Sequence, residues 1–153
     1  MSASLTRKNP EALKELAKRL QEQCRKEIAV GFPAGATQSY PDGTRVIDVA
    51  ACHVFGVGVP QRDFMAAAKS GIATAVKPVL AALANAETAE EAKALQNAAG
   101  QVAQEEIREA IIALQDPPNS AETIARKGSS NPLIDTGHMK DSVTYVVRDK
   151  RPR

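Results

Sequence analysis

The chain has 153 residues, 43% of them apolar, and a net charge of +2 from 20 basic and 18 acidic side chains. That length suits one domain with a modest core and is too short for two, and the near-balanced charge excludes polyanion binding by bulk charge alone. Aromatics make up only 3% and tryptophan is absent, so alanine and leucine must supply most of the burial, which favours helices packed closely through small side chains.

Cys24 and Cys52 sit in apolar periodic segments, and the expectation is two buried thiols in a reducing compartment. The N-terminal MSASLTRKNP has no apolar signal-peptide core. No run reads as the roughly 20 apolar residues of a membrane span, so no membrane partner is expected. A single domain over residues 1–153 is expected, with flexible ends at 1–8 and 149–153.

The first helix is announced by Asn9 as cap, Pro10 at the first helical position and Glu11 at the positive end of the dipole. Leu13, Leu16, Leu20 and Cys24 recur at helical spacing, which predicts an amphipathic helix over 10–26. Ile28 to Phe32 reads as a short strand stopped by Pro33. AGATQSYPDG, residues 34–43, is turn chemistry throughout and ends in a Tyr40-Pro41-Asp42-Gly43 turn; it reads as an exposed, mobile loop. Val46, Ile47 and Val49 favour a strand by propensity. The spacing to His53 and Val54 fits a helix better, with Thr44 as cap and Gly56 as stop.

Gly56 to Pro60 cannot continue that helix and forms an arm, with His53 and Phe55 expected to anchor the helix behind it in the core. A long helix restarts at Phe64 with Asp63 or Arg62 near its start, and a kink or break is expected at Pro78. Thr88 to Glu91 makes a capping box for a further helix to about Gln115, ended by Asp116-Pro117-Pro118. Asn119 or Ser120 caps a short turn through Arg126. A few helical residues follow at 138–141, and Val143 to Val147 is the clearest strand. The expected fold is α+β: a small antiparallel sheet, an N-terminal helix and two long central helices, with exposed sheet edges completed by oligomerisation.

Chemistry is thin. Cys52 and His53 are adjacent, so they point apart and chelate poorly. Asp135-Thr136-Gly137 matches the triplet of aspartic proteases, but that fold is almost all β; here Asp135 reads as a cap for the next turn. FGVGVP lacks the lysine and helix of a phosphate loop. No catalytic residue, cofactor or metal is expected. Arg148, Lys150, Arg151 and Arg153 form a basic tail that either contacts DNA or is simply solvated.

Two stretches together resemble the virion-morphogenesis, or tail-completion (neck), proteins of long-tailed phages and their Mu-like relatives. The first is Asp48 to Gly56 followed by Val59 to Met65, similar to the family's Ala-x-x-His-Glu-Phe-Gly helix and Ile-Pro-x-Arg-Pro-Phe run. The second is Pro118 to Gly128 followed by Pro132 to Tyr145, similar to its Thr-Ile-x-x-Lys-Gly and Pro-Leu-x-Asp-Thr-Gly motifs. The match spans about residues 28 to 148 and departs at Val54, where the family often has Glu, and at Asp63, where it often has Pro.

The resemblance implies a protomer that assembles with itself into a ring, commonly a hexamer, at the head–tail junction of the virion. Its neighbours would be a connector or stopper protein and a tail terminator or tube protein, with DNA passing transiently through the lumen. The residues expected at the assembly interface are Tyr40, Asp42, Val57, Gly58, Val59, Pro60, Gln61 and Arg62. A non-virion assembly factor, or a nucleic-acid-binding protein acting through the basic tail, are the alternatives.

Overall fold

The computed structural model describes residues 9–35 and 38–150. Helix α1 (Pro10–Cys24) leads into strand β1 (Lys26–Gly31), followed by α2 (Val46–Phe55), α3 (Phe64–Ala84) and α4 (Ala89–Ala113). Two short helices, α5 (Ala121–Lys127) and α6 (His138–Asp141), precede strand β2 (Thr144–Asp149). Among the described residues the fold is α+β, with six helices and one two-stranded antiparallel sheet.

Local chemistry sets the boundaries. Asn9 Oδ1 accepts from the Ala12 N–H at 3.2 Å to start α1, and Asp63 Oδ1 from the Ala66 N–H at 2.9 Å to start α3. Thr88 Oγ1 accepts from the Glu91 N–H at 3.1 Å, and Glu91 Oε2 from the Glu87 N–H at 2.9 Å, closing the expected box one residue early. Helix α2 is capped at Arg45, not Thr44, and without a side-chain bond; Arg45 instead pairs with Asp48 of its first turn at 2.7 Å. Pro78 does not break α3, which runs through all 21 residues. Thr74 and Pro78 both lie on the exposed side, where the carbonyl left without an N–H can face water.

The core lies where α2, the first half of α3, the last half of α4, α6 and Leu133 converge. Phe64 is fully buried, as are Ile107, Ile111 and Val143, and Phe32 meets Phe64 edge-to-face with ring centroids 6.4 Å apart. On the middle of α4, Ala99, Gly100 and Ala103 are buried. The Tyr145 ring lies directly on Gly100, where any Cβ would overlap it, so the sheet sits at backbone distance from the helix. The strands pair Ile28 with Val147 and Val30 with Tyr145.

Several expectations are corrected. Helix α1 buries none of its residues, and Cys24 on it is exposed, because among the described residues nothing covers the leucine stripe; Cys52 on α2 is half-buried. The C-terminal end is held further than expected: Asp149 pairs with Lys26 in the sheet, and the Lys150 N–H donates to the Arg25 carbonyl. Residues 38–45 are ordered by the chain itself, through an isolated Ser39–Arg45 bridge and a turn closed by the Gly43 N–H on the Tyr40 carbonyl at 2.9 Å. Ala36 and Thr37 of that loop lie outside the described residues. Helix α3, read as too short an apolar run to span a bilayer, is long and apolar enough by length and composition, and only 6% of its most apolar window is buried.

Replacing Phe64 by Ala is expected to lower stability by about 3–5 kcal/mol, since few other large side chains are present to fill the space. Urea denaturation checks this; an unchanged midpoint would contradict it.

Candidate assembly surface

The arm after α2 is a short loop tied back onto the helix it leaves. Gly56 ends α2 in the left-handed region at φ +70°, and the Val57 N–H donates to the Cys52 carbonyl at 2.9 Å. A Cβ at Gly56 would press on Gln61, and Gln61 Nε2 donates back to the Val54 carbonyl at 3.0 Å. The Arg62 N–H then bonds the His53 carbonyl at 2.7 Å. With residues 57–61 closed in this way, their side chains divide: Phe55 and Val57 are 73% and 63% exposed, while Val59 is half-buried. Phe55 was expected in the core beside His53; the αL turn at Gly56 leaves it outside, and only His53 turns partly inward.

Arg62 also departs from expectation. It is 4% exposed, and its guanidinium donates to the Pro117 carbonyl at 2.8 Å, the Pro118 carbonyl at 3.1 Å and Asn119 Oδ1 at 3.3 Å. It therefore holds the arm to the segment beyond α4 and presents little surface to a neighbour. All three acceptors are neutral oxygens. That segment is fixed in turn by Asn131, whose Oδ1 accepts from the Leu133 and Ile134 N–H groups at 3.0 and 3.1 Å and whose Nδ2 donates to the Ile112 carbonyl at 2.9 Å. The sequence signal for Asn131 is its place before Pro132, a turn pair.

Opposite the arm, Gly137 at φ +85° opens α6, and the Thr136 hydroxyl, not Asp135, accepts from the His138 N–H at 3.4 Å. Tyr40 stacks on His138 with centroids 4.9 Å apart, and the His138 Nε2 meets the Ser39 carbonyl at 3.1 Å. Burial, and then Asp135 and Asp42, push the Tyr40 phenol above its usual value. Asp42 is exposed and accepts from the Thr44 N–H at 2.9 Å, which lowers its pKa.

These parts enclose one cleft of about 670 Å³. Five residues expected at the interface line it: Tyr40, Asp42, Val59, Pro60 and Arg62. Val57, Gly58 and Gln61 lie outside it. Residues 118–139, from the second signature stretch, form its other wall through Asn119, Arg126, Lys127, Asp135 and Met139. The two stretches, far apart in sequence, thus face each other. The basic tail is not brought here: Arg148 donates to Glu27 Oε1 at 2.6 Å across the sheet, Lys150 is exposed, and Arg151 and Arg153 lie outside the described residues.

The cleft carries Arg62, Arg126, Lys127 and His53 against Asp42 and Asp135. His53 is half-buried, its Nδ1 is shut from solvent without a hydrogen-bond partner among the described residues, and burial, Arg62 and Lys127 together lower its pKa. Burial also lowers the Lys127 pKa, offset by Asp135, while Lys127 Nζ donates to the Asn131 carbonyl at 3.2 Å. Among the described residues, no group of three or more His, Cys, Asp or Glu side chains is placed to hold a metal ion. No family model matches the chain, and neither does any curated protein or solved structure.

Replacing Arg62 by Met is expected to lower stability by about 1.5–3 kcal/mol, the scale of charge-assisted hydrogen bonds lost from a buried site. Lys should not rescue it, because an ammonium cannot span the three acceptors as the planar fork does. Equal urea midpoints for wild type and Arg62→Met would contradict this. His53 has a folded-state pKa below its unfolded value of 6.5, so the unfolded chain binds the proton more readily. Its contribution is present in full above about pH 6.5 and is lost as the pH falls below that. Stability of wild type should therefore fall more steeply than that of His53→Gln between about pH 7 and 5; parallel profiles would refute it.

Proposed function

We propose that this protein is a structural subunit that assembles with itself into a closed ring, and that the ring belongs to the neck of a long-tailed phage virion, between a connector or stopper above and a tail terminator or tube below. The observation that carries the reading is how much apolar surface one subunit leaves uncovered. Helix α1 buries no residue, with Leu13 and Leu20 40% and 38% exposed, and the side it turns to α4 is its charged one, walled by Glu15, Lys18, Arg19 and Glu22. Phe55 and Val57 stand out from the arm, Leu80 from α3 and Ile112 from α4. Each strand of the two-stranded sheet keeps one edge unpaired among the described residues, the kind of edge that invites another chain.

Apolar side chains left exposed on α1, the arm, α3 and α4 are surface that another copy can cover, and unlike surfaces meeting head to tail form a ring when the rotation between copies closes. The specific place at the head–tail junction rests on the resemblance of residues 48–65 and 118–145 to tail-completion proteins, supported by the way those two stretches line one cleft. The role is mechanical: the subunit contributes shape and contacts, and no catalytic step is assigned to it.

Mass spectrometry of purified particles tests the proposal. The protein is expected there in several copies per particle. Its presence in infected cells but absence from particles would favour an assembly factor and reject the virion role.

A further inference from the structure

The cleft between the arm and the C-terminal segment holds three cationic side chains, Arg62, Arg126 and Lys127, against two carboxylates, Asp42 and Asp135. Arg62, at 4% exposure, bonds only neutral oxygens. Lys127 bonds a backbone carbonyl, and Arg126 is exposed at the rim. Among the described residues none of the three has a carboxylate within ion-pair distance. Asp42 and Asp135 line the same cleft; Asp42 accepts from the Thr44 N–H of its own turn, and neither lies within ion-pair distance of these cations, although Asp135 acts on Lys127 from further away. A buried guanidinium without a counter-charge is costly, and the apolar walls at Val59, Pro60, Leu133 and Met139 strengthen whatever charge interaction forms between them. The cleft thus keeps cationic side chains with which a carboxylate arriving from outside can pair.

The chain carries carboxylates suited to it. The α3–α4 turn places Glu87, Glu90 and Glu91 within five residues, all exposed. Glu91 is used in capping, whereas Glu87 and Glu90 have no ion-pair partner among the described residues. This turn starts α4, and the cleft lies just past its end. At about 1.5 Å per residue, the 25 residues of α4 separate the two by roughly 37 Å. One subunit cannot bring its own turn to its own cleft, but two subunits can.

We propose that the cleft of one copy receives the α3–α4 turn of the next, with Glu87 and Glu90 docking against Arg126 and Lys127 at the rim and Arg62 beneath. This rests on the ring reading above and names its two surfaces: a turn of one copy on a cleft of the next is a heterologous contact, which makes a ring when the rotation between copies closes.

Light scattering on the eluting full-length protein tests it, with thermal melts confirming that each variant is folded. Glu87→Lys with Glu90→Lys, and separately Arg126→Glu with Lys127→Glu, should each raise the concentration needed for half-assembly at least about tenfold. Combining all four reversals should restore most of the loss, and assembly of the wild type should weaken with salt. Because Lys127 is half-buried, Arg126→Glu alone serves if the double variant melts early. If wild type assembles and both variants match it at every concentration, this contact is wrong and the ring reading stands. A wild type that stays monomeric overturns the ring reading and this contact with it. If only the cleft variants lose assembly, and they also lose binding of inorganic phosphate or a short oligonucleotide that the turn variants retain, the cleft takes phosphate and the proposal fails.

Discussion

Helix α4 is the one surface against which α3, both strands and α6 pack, and its small side chains make that possible. Ala99, Gly100 and Ala103 let other elements approach closely, to the point that Tyr145 rests on backbone at Gly100. Ile107 and Ile111 then fill the thicker end, where Phe64 from α3 and Val46 from α2 close the core. A chain with three phenylalanines and no tryptophan has little volume for a second such centre. Whatever does not reach α4 stays uncovered, and α1 and the outer side of α3 are the result. The uncovered surface thus follows from how the subunit spends its few large residues.

The arm depends on the same helix through its end. Where α4 stops, Pro117, Pro118 and Asn119 present oxygens that a single buried guanidinium gathers. Asn131 fastens the returning segment to Ile112. These two side chains turn separate loops into a walled cleft. Desolvation there is tolerable for Arg62 because carbonyl dipoles surround it, yet its full charge is not cancelled. The proposed docking of a second copy at the cleft draws on that charge.

Much of this was legible in the sequence, and the failures share a cause. Helix starts at Asn9 and Thr88, the stop at Gly56, and the Tyr40–Gly43 turn follow from local chemistry, so spacing finds them. The α+β class and the pairing of the two terminal strands follow from the positions of the β-branched runs. What sequence cannot supply is which apolar stripe finds a partner: α1 and α2 both show one, and only α2 is covered, through Val46 and Ala50. Phe55 misled for the same reason, since a large aromatic in a chain poor in them reads as core. Arg62 sits in a polar run that reads as surface, and its burial depends on carbonyls 55 residues away. Pro78 reads as a break, but an exposed helix face tolerates the lost bond.

The central claim is that this subunit is completed by copies of itself. Native mass spectrometry of the purified full-length protein across a range of concentrations addresses it most directly. A single closed oligomer, one integer multiple of the chain mass that gives way to monomer on dilution, is the predicted result. A monomer at every concentration, or an open series of unlimited length, would contradict it.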